Sequence, residues 1–248
     1  QGAHPVVALY ATFLNRGFDQ LLMDVALHRA GVTVVLDRAG VTGADGASHN
    51  GVWDIAMCSM IPGLRLAAPR DEETLRARLR EALDVNDAPT VIRYRKGSLP
   101  EPMPALRSVG GVDILFDEAV ADSSARVLIV GTGACAPDAI EAARRLSADG
   151  VSVTVADPQW MIPVCPELAT LARDYDCVVS VEDGIVQGGF GWSLRDAVAE
   201  TGVPVRCLGV PQGFPEHGDR AAMIAQFGFD ADGIERAARE LVERIGNR

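Results

Sequence analysis

Residues 126–156 read RVLIVGTGACAPDAIEAARRLSADGVSVTVA, and this stretch decides the fold class. Its first residues, 126–130, form an apolar β-branched run that predicts a buried strand. A glycine-rich turn follows, then a segment at 138–147 that predicts a helix, and then a second strand at 151–156. A strand, a helix and a strand in this order form a βαβ unit, in which both strands lie parallel in one sheet.

The same alternation extends over the whole chain and predicts two α/β domains. Further strands are predicted at 6–9, 32–36, 64–67, 90–94, 177–181 and 203–208. Further helices are predicted at 16–29, after the capping residue Asp71, at 166–175, at 192–200, and from Arg220 and Asp232 onward. Between the two series, residues 98–112 contain three prolines and a Gly-Gly pair, the composition of a linker. We therefore predict two doubly wound domains, at 1–97 and 113–248, with a mostly parallel sheet in the first.

Composition excludes several classes of function. Of the 248 residues 48% are hydrophobic, enough to build a real core, and the net charge is −11. An acidic chain lacks the clustered positive field that a nucleic acid or an anionic membrane requires. Its apolar runs are also too short to span a bilayer. We therefore expect neither a nucleic-acid partner nor a membrane partner.

The cysteines indicate a reducing compartment, and we expect a cytoplasmic protein. They are odd in number, widely spaced and free of any Cys-x-x-Cys pair, which speaks against a disulfide framework or a zinc site. They are Cys58, Cys135, Cys165, Cys177 and Cys207. We predict no metal site on this chain. Because the sequence opens on Gln1 directly before a predicted strand, we expect it to be a piece of a longer polypeptide.

The strongest candidate for a functional segment is the loop 37–51, DRAGVTGADGASHNG. It follows a predicted strand, and ligands of parallel sheets bind beyond the carboxyl ends of the strands. Arg38 offers a planar fork for a phosphate or a carboxylate, and His49 can exchange a proton near neutral pH. The alternative is a long turn whose aspartates cap local amides and whose histidine is solvated.

Two other strand ends carry candidate residues. In the segment 10–20, YATFLNRGFDQ, an aromatic ring could stack on a flat heterocycle and Arg16 could hold an anion; alternatively, Phe13 and Phe18 fix the helix to the core. The segment 93–97, RYRKG, has three cations within four residues and could hold a phosphate. The alternative for this segment is a solvated strand end before the linker.

Two glycine clusters admit a binding or a packing interpretation. Residues 131–136, GTGACA, match the G-x-G-x-x-A pattern of dinucleotide-binding turns, and Asp157 ends the next strand near the place of a ribose-binding acid. A tight turn between strand and helix is the structural alternative. The cluster 184–191 could bind an anion at a helix N-terminus, although close packing at an interface is favoured. We interpret His4, His28 and His217 as structural or surface residues.

Several of these motifs together resemble the 1-deoxy-D-xylulose-5-phosphate synthase family, which is transketolase-like. The resemblance rests first on the loop 37–49 and on the segment 10–20 before it. It continues through shorter motifs along nearly the whole chain, namely IPG at 61–63, PRDE at 69–72, RYxxG at 93–97, VEDG at 181–184, GGFG at 188–191 and GVPQxFxxH at 209–217. By this resemblance, 1–97 is the latter part of a pyrimidine-binding domain that lacks its N-terminal part. Residues 113–248 are then a transketolase C-terminal domain.

The resemblance implies a reaction and a set of residues. The family uses thiamine diphosphate and Mg²⁺ to condense pyruvate with glyceraldehyde 3-phosphate, with loss of carbon dioxide, for isoprenoid and thiamine biosynthesis. For the cofactor, the resemblance implies that Phe13 stacks on the aminopyrimidine ring and that Tyr10 and Arg16 line the same pocket. For the substrates, it implies that they are bound by Tyr10, Arg38 and Lys96. It also implies that Asp45 and His49 orient the substrates and transfer protons.

The sequence also departs from the family pattern. The usual Arg-Tyr-Pro-Arg-Gly is Arg-Tyr-Arg-Lys-Gly at 93–97, and lysine keeps the charge but loses the bidentate fork. The glutamate that activates the cofactor, and the diphosphate and Mg²⁺ domain, belong to segments upstream of this sequence. Glu72 and Glu101 match no motif that could replace that glutamate. We therefore expect the chain to be inactive alone.

Alternatives remain for function and assembly. The chain could be the β subunit of a 2-oxo-acid dehydrogenase or of a split transketolase, although such a β subunit would be expected to keep the activating glutamate. It could also be a non-catalytic dimerisation module. The family implies a homodimer, and we expect a second chain with the N-terminal segment of the same enzyme as a further partner.

Overall fold

A computed structural model describes residues 2–98 and 100–247, and it contains two sheets. Gln1, Leu99 of the predicted linker and Arg248 lie outside the described residues. The strands are β1 Val6–Tyr10, β2 Thr33–Ala39, β3 Arg65–Ala67, β4 Thr90–Arg95, β5 Arg107–Val109, β6 Val112–Glu118, β7 Arg126–Gly131, β8 Ser152–Asp157, β9 Trp160–Ile162, β10 Cys177–Ile185 and β11 Val205–Val210. The α-helices are α1 Leu14–Asp19, α2 Asp54–Cys58, α3 Glu72–Leu83, α4 Ala136–Ala148, α5 Pro166–Ala172, α6 Phe190–Ala197, α7 Arg220–Phe227 and α8 Ala231–Gly246.

The first sheet has the strand order β1-β2-β4-β3-β9, and its first four strands are parallel. The register pairs Val34 of β2 with Val7 of β1 and with Val91 of β4. The carboxyl ends of β1, β2 and β4 therefore lie side by side at one edge of the sheet. Because ligands of parallel sheets bind at that edge, this sheet sets the position of the candidate site.

The second sheet has the order β11-β10-β7-β8-β6-β5. Strands β7, β8, β10 and β11 are parallel, whereas β6 pairs antiparallel with β8 and with β5. The βαβ unit predicted from 126–156 is present as β7, α4 and β8. The two sheets with their helices confirm the predicted α/β fold with two doubly wound parts.

One strand of the C-terminal half belongs to the first sheet. β9 pairs antiparallel with β3, with Leu66 opposite Ile162 and Ala67 opposite Trp160. The apolar core around the first sheet is correspondingly mixed, since it includes Leu66 and Ile55 together with Met161 and Phe190 of the C-terminal half. The two halves therefore share a sheet and a core.

Several local expectations need correction or addition. The predicted helix at 16–29 begins earlier, after a 3-10 turn at Ala11–Phe13, and consists of α1 followed by a π-helical segment at Gln20–Ala26. Leu27, which follows this segment, is 65% exposed. Strand β5 lies within the predicted linker, and α2, β6 and β9 were not predicted. None of the helices in the described part is long and apolar enough to cross a membrane.

The N-terminus of α3 forms as predicted from Asp71. The Asp71 carboxylate accepts a hydrogen bond from the Thr74 amide at 2.9 Å, and the Thr74 hydroxyl lies within hydrogen-bond distance of the Asp71 amide at 3.1 Å. This reciprocal pair is a capping box, which fixes the first turn of the helix.

Candidate active site

Seven predicted residues lie at the carboxyl edge of the first sheet and form an unbroken series of contacts. Tyr10 ends β1, Arg38 lies near the end of β2, and Lys96 follows β4. Phe13 and Arg16 come from the turn and helix after β1, and Asp45 and His49 come from the loop 37–51 after β2. Parallel pairing of the three strands brings these distant segments together.

The first part of the site is an aromatic group. Tyr10 and Phe13 stack with ring centroids 5.9 Å apart and an interplanar angle of 18°. The edge of His49 faces Phe13 at 6.0 Å, and the Arg16 guanidinium lies 5.8 Å from the centre of the Phe13 ring. Phe13 is 41% exposed, so part of its ring is free to stack on a flat ligand.

The second part of the site is a group of charges around Asp45. Lys96 Nζ donates to both carboxylate oxygens of Asp45, at 2.7 and 2.8 Å. Arg38 Nη1 lies 3.8 Å from Asp45 Oδ2, and its guanidinium lies 4.1 Å from the centre of the Tyr10 ring. The hydrogen bond from Lys96 lowers the pKa of Asp45 below its usual value. Two cations from different strand ends therefore converge on one small anion.

His49 is oriented by its neighbours. Its Nδ1 lies 2.9 Å from the Ser48 hydroxyl oxygen, and Thr12 donates to the Ser48 carbonyl at 2.8 Å. The Nδ1 atom is thus engaged within the protein, and Nε2 is the ring nitrogen left for a ligand. The bond from Thr12 ties this part of the loop to the end of β1.

Asn50 holds the loop closed, a role that the sequence pattern did not reveal. Its fully buried side chain accepts from the Thr42 amide at 2.8 Å and donates to the Gly46 carbonyl at 3.0 Å. Gly40 and Gly51 exchange backbone hydrogen bonds of 2.8 and 2.9 Å across the base of the loop. Asparagine is typical of turns because its amide can satisfy local backbone groups, and this was the only signal available in the sequence.

Arg93, predicted in the cationic cluster 93–97, is buried away from the site. Its Nε donates to Asp54 Oδ2 at 2.8 Å and its Nη1 donates to Asp183 Oδ1 at 2.5 Å. Asp54 belongs to α2 and Asp183 to β10, so the ion group joins the two halves of the chain. Burial raises the pKa of Asp54, and Arg93 offsets only part of that rise. At Asp183 burial also acts to raise the pKa, but the charge and hydrogen bond of Arg93 together with the charge of Arg220 outweigh it, and the pKa is lowered.

The turn at 131–136 is filled by the protein itself. A Cβ on Gly133, where φ is +49°, would lie 2.9 Å from the carbonyl oxygen of Ala68. Asp157 forms an ion pair with Arg70 at 2.9 Å and also accepts from the Gln159 amide. Burial raises the pKa of Asp157 to about 6. The glycines thus allow close packing between the halves, which favours the structural alternative over dinucleotide binding.

The second glycine cluster, 184–191, likewise packs against a side chain of the protein. The Glu182 carboxylate accepts from the amides of Phe190 and Gly191, at 2.9 and 2.8 Å, at the start of α6. A Cβ on Gly189 would lie 2.5 Å from Glu182 Oε2. Burial raises the pKa of Glu182 to about 7. The anion at this helix N-terminus is therefore an internal carboxylate.

His4 lies outside the site, beside the start of β2. His4 Nε2 lies 2.8 Å from the Thr33 hydroxyl oxygen, in agreement with a structural role. Within 2–98 and 100–247, no group of three or more His, Cys, Asp and Glu side chains is arranged to hold a metal ion.

Comparison with known families agrees with this architecture. The model of the transketolase pyrimidine binding domain matches residues 1–102, and the model of the transketolase C-terminal domain matches residues 118–234. The chain therefore belongs to the transketolase family, of which it contains these two domains in this order.

Within that family, the chain is similar to the C-terminal portion of 1-deoxy-D-xylulose-5-phosphate synthases, which confirms the resemblance seen in the motifs. The enzyme of Corynebacterium glutamicum (strain R) is 51% identical over 238 residues, which are 94% of this chain and 38% of that protein. Synthase 2 of Kitasatospora griseola is 52% identical over 245 residues, which are 97% of this chain and 39% of that protein. The chain thus spans less than two fifths of the length of these relatives.

A solved structure, "Split gene transketolase, inactive beta4 tetramer", has the same fold. It superposes with a TM-score of 0.82 at 27% sequence identity. The match covers 98% of this chain and 77% of that chain.

Proposed function

We propose that this chain supplies part of the active site of a 1-deoxy-D-xylulose-5-phosphate synthase, which condenses pyruvate with glyceraldehyde 3-phosphate and releases carbon dioxide. The observation that carries the proposal is the convergence of Arg38 and Lys96 on one carboxylate beside the stacked Tyr10 and Phe13. Two cations that converge in this way can also hold a phosphate group through charge-assisted hydrogen bonds. The names of the curated relatives support this reaction, which feeds isoprenoid and thiamine biosynthesis.

In this proposal, Arg38 and Lys96 bind the phosphate of the aldehyde substrate. Arg38 offers a planar fork and Lys96 a point charge, so two different oxygens of one phosphate can be held. Asp45 neutralises Lys96 in the present arrangement, and an arriving phosphate competes with it for the same ammonium group. Asp45 and His49 then lie beside the bound substrate, where His49 Nε2 can give or take a proton.

The aromatic group fits thiamine diphosphate. Phe13 presents a partly exposed ring for the aminopyrimidine, and Tyr10 and Arg16 border the same space. When bound, the cofactor supplies the nucleophilic carbon and the electron sink that decarboxylation of pyruvate requires. The chain's own residues orient that ring and place the phosphorylated aldehyde next to it. Mg²⁺ is proposed to bind with the diphosphate, on segments of the relatives that this sequence does not cover.

We further propose that turnover needs those other segments and that the chain pairs with a second copy. The solved relative is a tetramer of β chains, which supports self-association of this fold. An apolar surface groove is bordered by Trp53, Met57, Met60 and Phe214. In this groove Met60 is 63% exposed and Phe214 is 79% exposed. Exposed apolar patches of this kind commonly mark interfaces. A cytoplasmic location is proposed because the five cysteines are free thiols.

A split transketolase is the second candidate, and the structural likeness to a split gene transketolase favours it. In both cases turnover needs segments that this sequence does not cover, and the choice of substrates distinguishes them. A synthase takes glyceraldehyde 3-phosphate with pyruvate as donor. A β subunit of a 2-oxo-acid dehydrogenase would transfer its product to a lipoyl domain, and a dimerisation module would bind no substrate.

Calorimetric titration of the chain with glyceraldehyde 3-phosphate tests the proposal. We expect binding by the unchanged chain and a loss of at least about tenfold in affinity for Arg38→Ala, because a charge-assisted contact to phosphate contributes about 1.5–3 kcal/mol. Arg206→Ala is the matched control, since Arg206 lies in a surface ion pair with Glu240. No binding by the unchanged chain, or equal binding by Arg38→Ala, would refute the assigned phosphate site.

A further inference from the structure

The loop 37–51 is held from its outer side by the C-terminal half of the chain. Arg220 Nε, at the start of α7, donates to the Val41 carbonyl at 3.0 Å. The Gly218 amide donates to the Gly43 carbonyl at 3.5 Å, and Asn50 Nδ2 approaches the Pro215 carbonyl at the same distance. Three contacts thus join the loop to one segment, 215–220, although these residues lie more than 160 positions away in sequence.

Gly43 shows how closely the segment 215–220 approaches the loop. A Cβ on Gly43 would lie 2.9 Å from the Arg220 amide nitrogen and 2.9 Å from the Gly218 carbonyl oxygen. Both are backbone atoms, so a side chain at this position would push the loop and α7 apart. Gly46 has nearly the same backbone conformation, with φ +79° against +75°, but a Cβ there would meet nothing within 4 Å. Of these two glycines, only Gly43 therefore lies close to the segment 215–220.

The same loop carries the candidate ligands on its other side. Arg38 lies before the residues that Arg220 contacts, and Asp45 and His49 lie between Gly43 and the closing residue Gly51. Asp45 is the anion on which Arg38 and Lys96 converge. Arg38 is held in β2, between Asp37, which pairs with β1, and Ala39, which pairs with β4. A shift of the loop would therefore move Asp45 and His49, which are proposed to lie beside the bound substrate, relative to Arg38 and Lys96.

We propose that the segment 215–220 is a positioning element for this loop and that Arg220 is a positioning residue for the phosphorylated substrate. Arg220 acts through the Val41 carbonyl and touches no residue of the charge group around Asp45. The inference rests on the proposed function, because it names what the loop geometry serves. The C-terminal domain thereby acquires a role in substrate binding although it contributes no ligand.

The test measures two properties of the 248-residue chain and its variants. Calorimetry gives the affinity for glycerol 3-phosphate, and hydrogen–deuterium exchange gives the protection of the amides at 42–50. For Arg220→Met we expect about three- to tenfold weaker binding and faster exchange confined to the loop. Arg206→Met is the control for loss of an arginine from the C-terminal half. Its affinity and exchange should equal those of the unchanged chain.

A second pair of variants tests the same contact from the loop side. Gly43→Ala and Gly46→Ala introduce similar backbone strain, but only the first clashes with 215–220. We expect Gly43→Ala to weaken binding and accelerate exchange more than Gly46→Ala does. Equal effects of the two variants would overturn the inference.

The two measurements separate the inference from the proposed function. If the unchanged chain binds glycerol 3-phosphate and Arg220→Met binds equally well, the proposed function stands and the positioning role is overturned. If the unchanged chain does not bind glycerol 3-phosphate but the amides at 42–50 still exchange faster in Arg220→Met, the proposed function is refuted. The contact between Arg220 and Val41 is then still shown to stabilise the loop.

Discussion

Replacing Arg93 with methionine removes the guanidinium that neutralises two buried carboxylates, Asp54 and Asp183. All three side chains are at most 3% exposed, and the Arg93 contacts are 2.8 Å to Asp54 and 2.5 Å to Asp183. Methionine fills much of the same space, so the main cost is two buried charges without a partner. Removing one partner of a buried ion pair costs about 3–5 kcal/mol. We therefore expect Arg93→Met to lower the free energy of unfolding by about that amount.

Urea denaturation at two pH values is the assay. Without the guanidinium, the carboxylate pKa values in the folded variant rise above their unfolded values, so the folded state binds protons that the unfolded state releases. The free energy of unfolding of Arg93→Met should therefore fall furthest below that of the unchanged chain near pH 8, and the difference should become smaller toward pH 5. Arg29→Met is the control, because its pair with Asp87 is 75% and 69% exposed and should contribute at most about 1 kcal/mol. A deficit below about 1 kcal/mol, or one that does not change with pH, would refute the reasoning.

Three further predictions concern the loop and the buried acids. Asp45→Asn removes the carboxylate that competes for Lys96, so calorimetry should show roughly two- to fivefold tighter binding of inorganic phosphate; unchanged or weaker binding would contradict this. Gly40→Ala places a Cβ 2.1 Å from Asp183 Oδ2 at a φ of +77°, and urea denaturation should show a loss of about 2–4 kcal/mol. Gly46→Ala, where the new Cβ meets no neighbouring atom, should lower the free energy of unfolding by about 1–2 kcal/mol. Equal decreases in the two variants would show that the contact with Asp183 is unimportant. Because burial raises the pKa of Glu182 to about 7, the folded chain binds a proton that the unfolded chain releases. The free energy of unfolding should then fall as the pH rises from about 5 to 8, with a smaller slope in Glu182→Gln; identical slopes would exclude Glu182 as the cause.

Most strands of the two sheets and the location of the candidate site followed from local patterns. The strand at 126–130, the turn and the helix after it form a βαβ unit because β-branched runs and helical segments alternate there. The loop 37–51 could be placed at a strand end for the same reason. Its glycines and its mixture of Arg38, Asp45 and His49 indicated a ligand site before any contact was known.

Other features depend on contacts that no local pattern reveals. Arg93 and Lys96 occur in the same cationic cluster, but only the pairing of β4 inside the fold buries the first beside Asp183 and leaves the second near the loop. Strand β9 has three residues, too few for a periodic signal, and its partner β3 lies about ninety residues earlier. Helix α2 is also short, with five residues. The clash that makes Gly43 necessary arises from the C-terminal half, so the glycine alone did not identify its neighbour.

Reconstitution of the reaction tests the central claim most directly. The chain is mixed with a separately produced polypeptide that covers the preceding part of a curated relative, together with thiamine diphosphate, Mg²⁺, pyruvate and glyceraldehyde 3-phosphate. We expect 1-deoxy-D-xylulose 5-phosphate from the mixture, none from the chain alone, and a large loss when Arg38→Ala replaces the unchanged chain. Product from the chain alone, or a mixture in which Arg38→Ala is as active as the unchanged chain, would contradict the account.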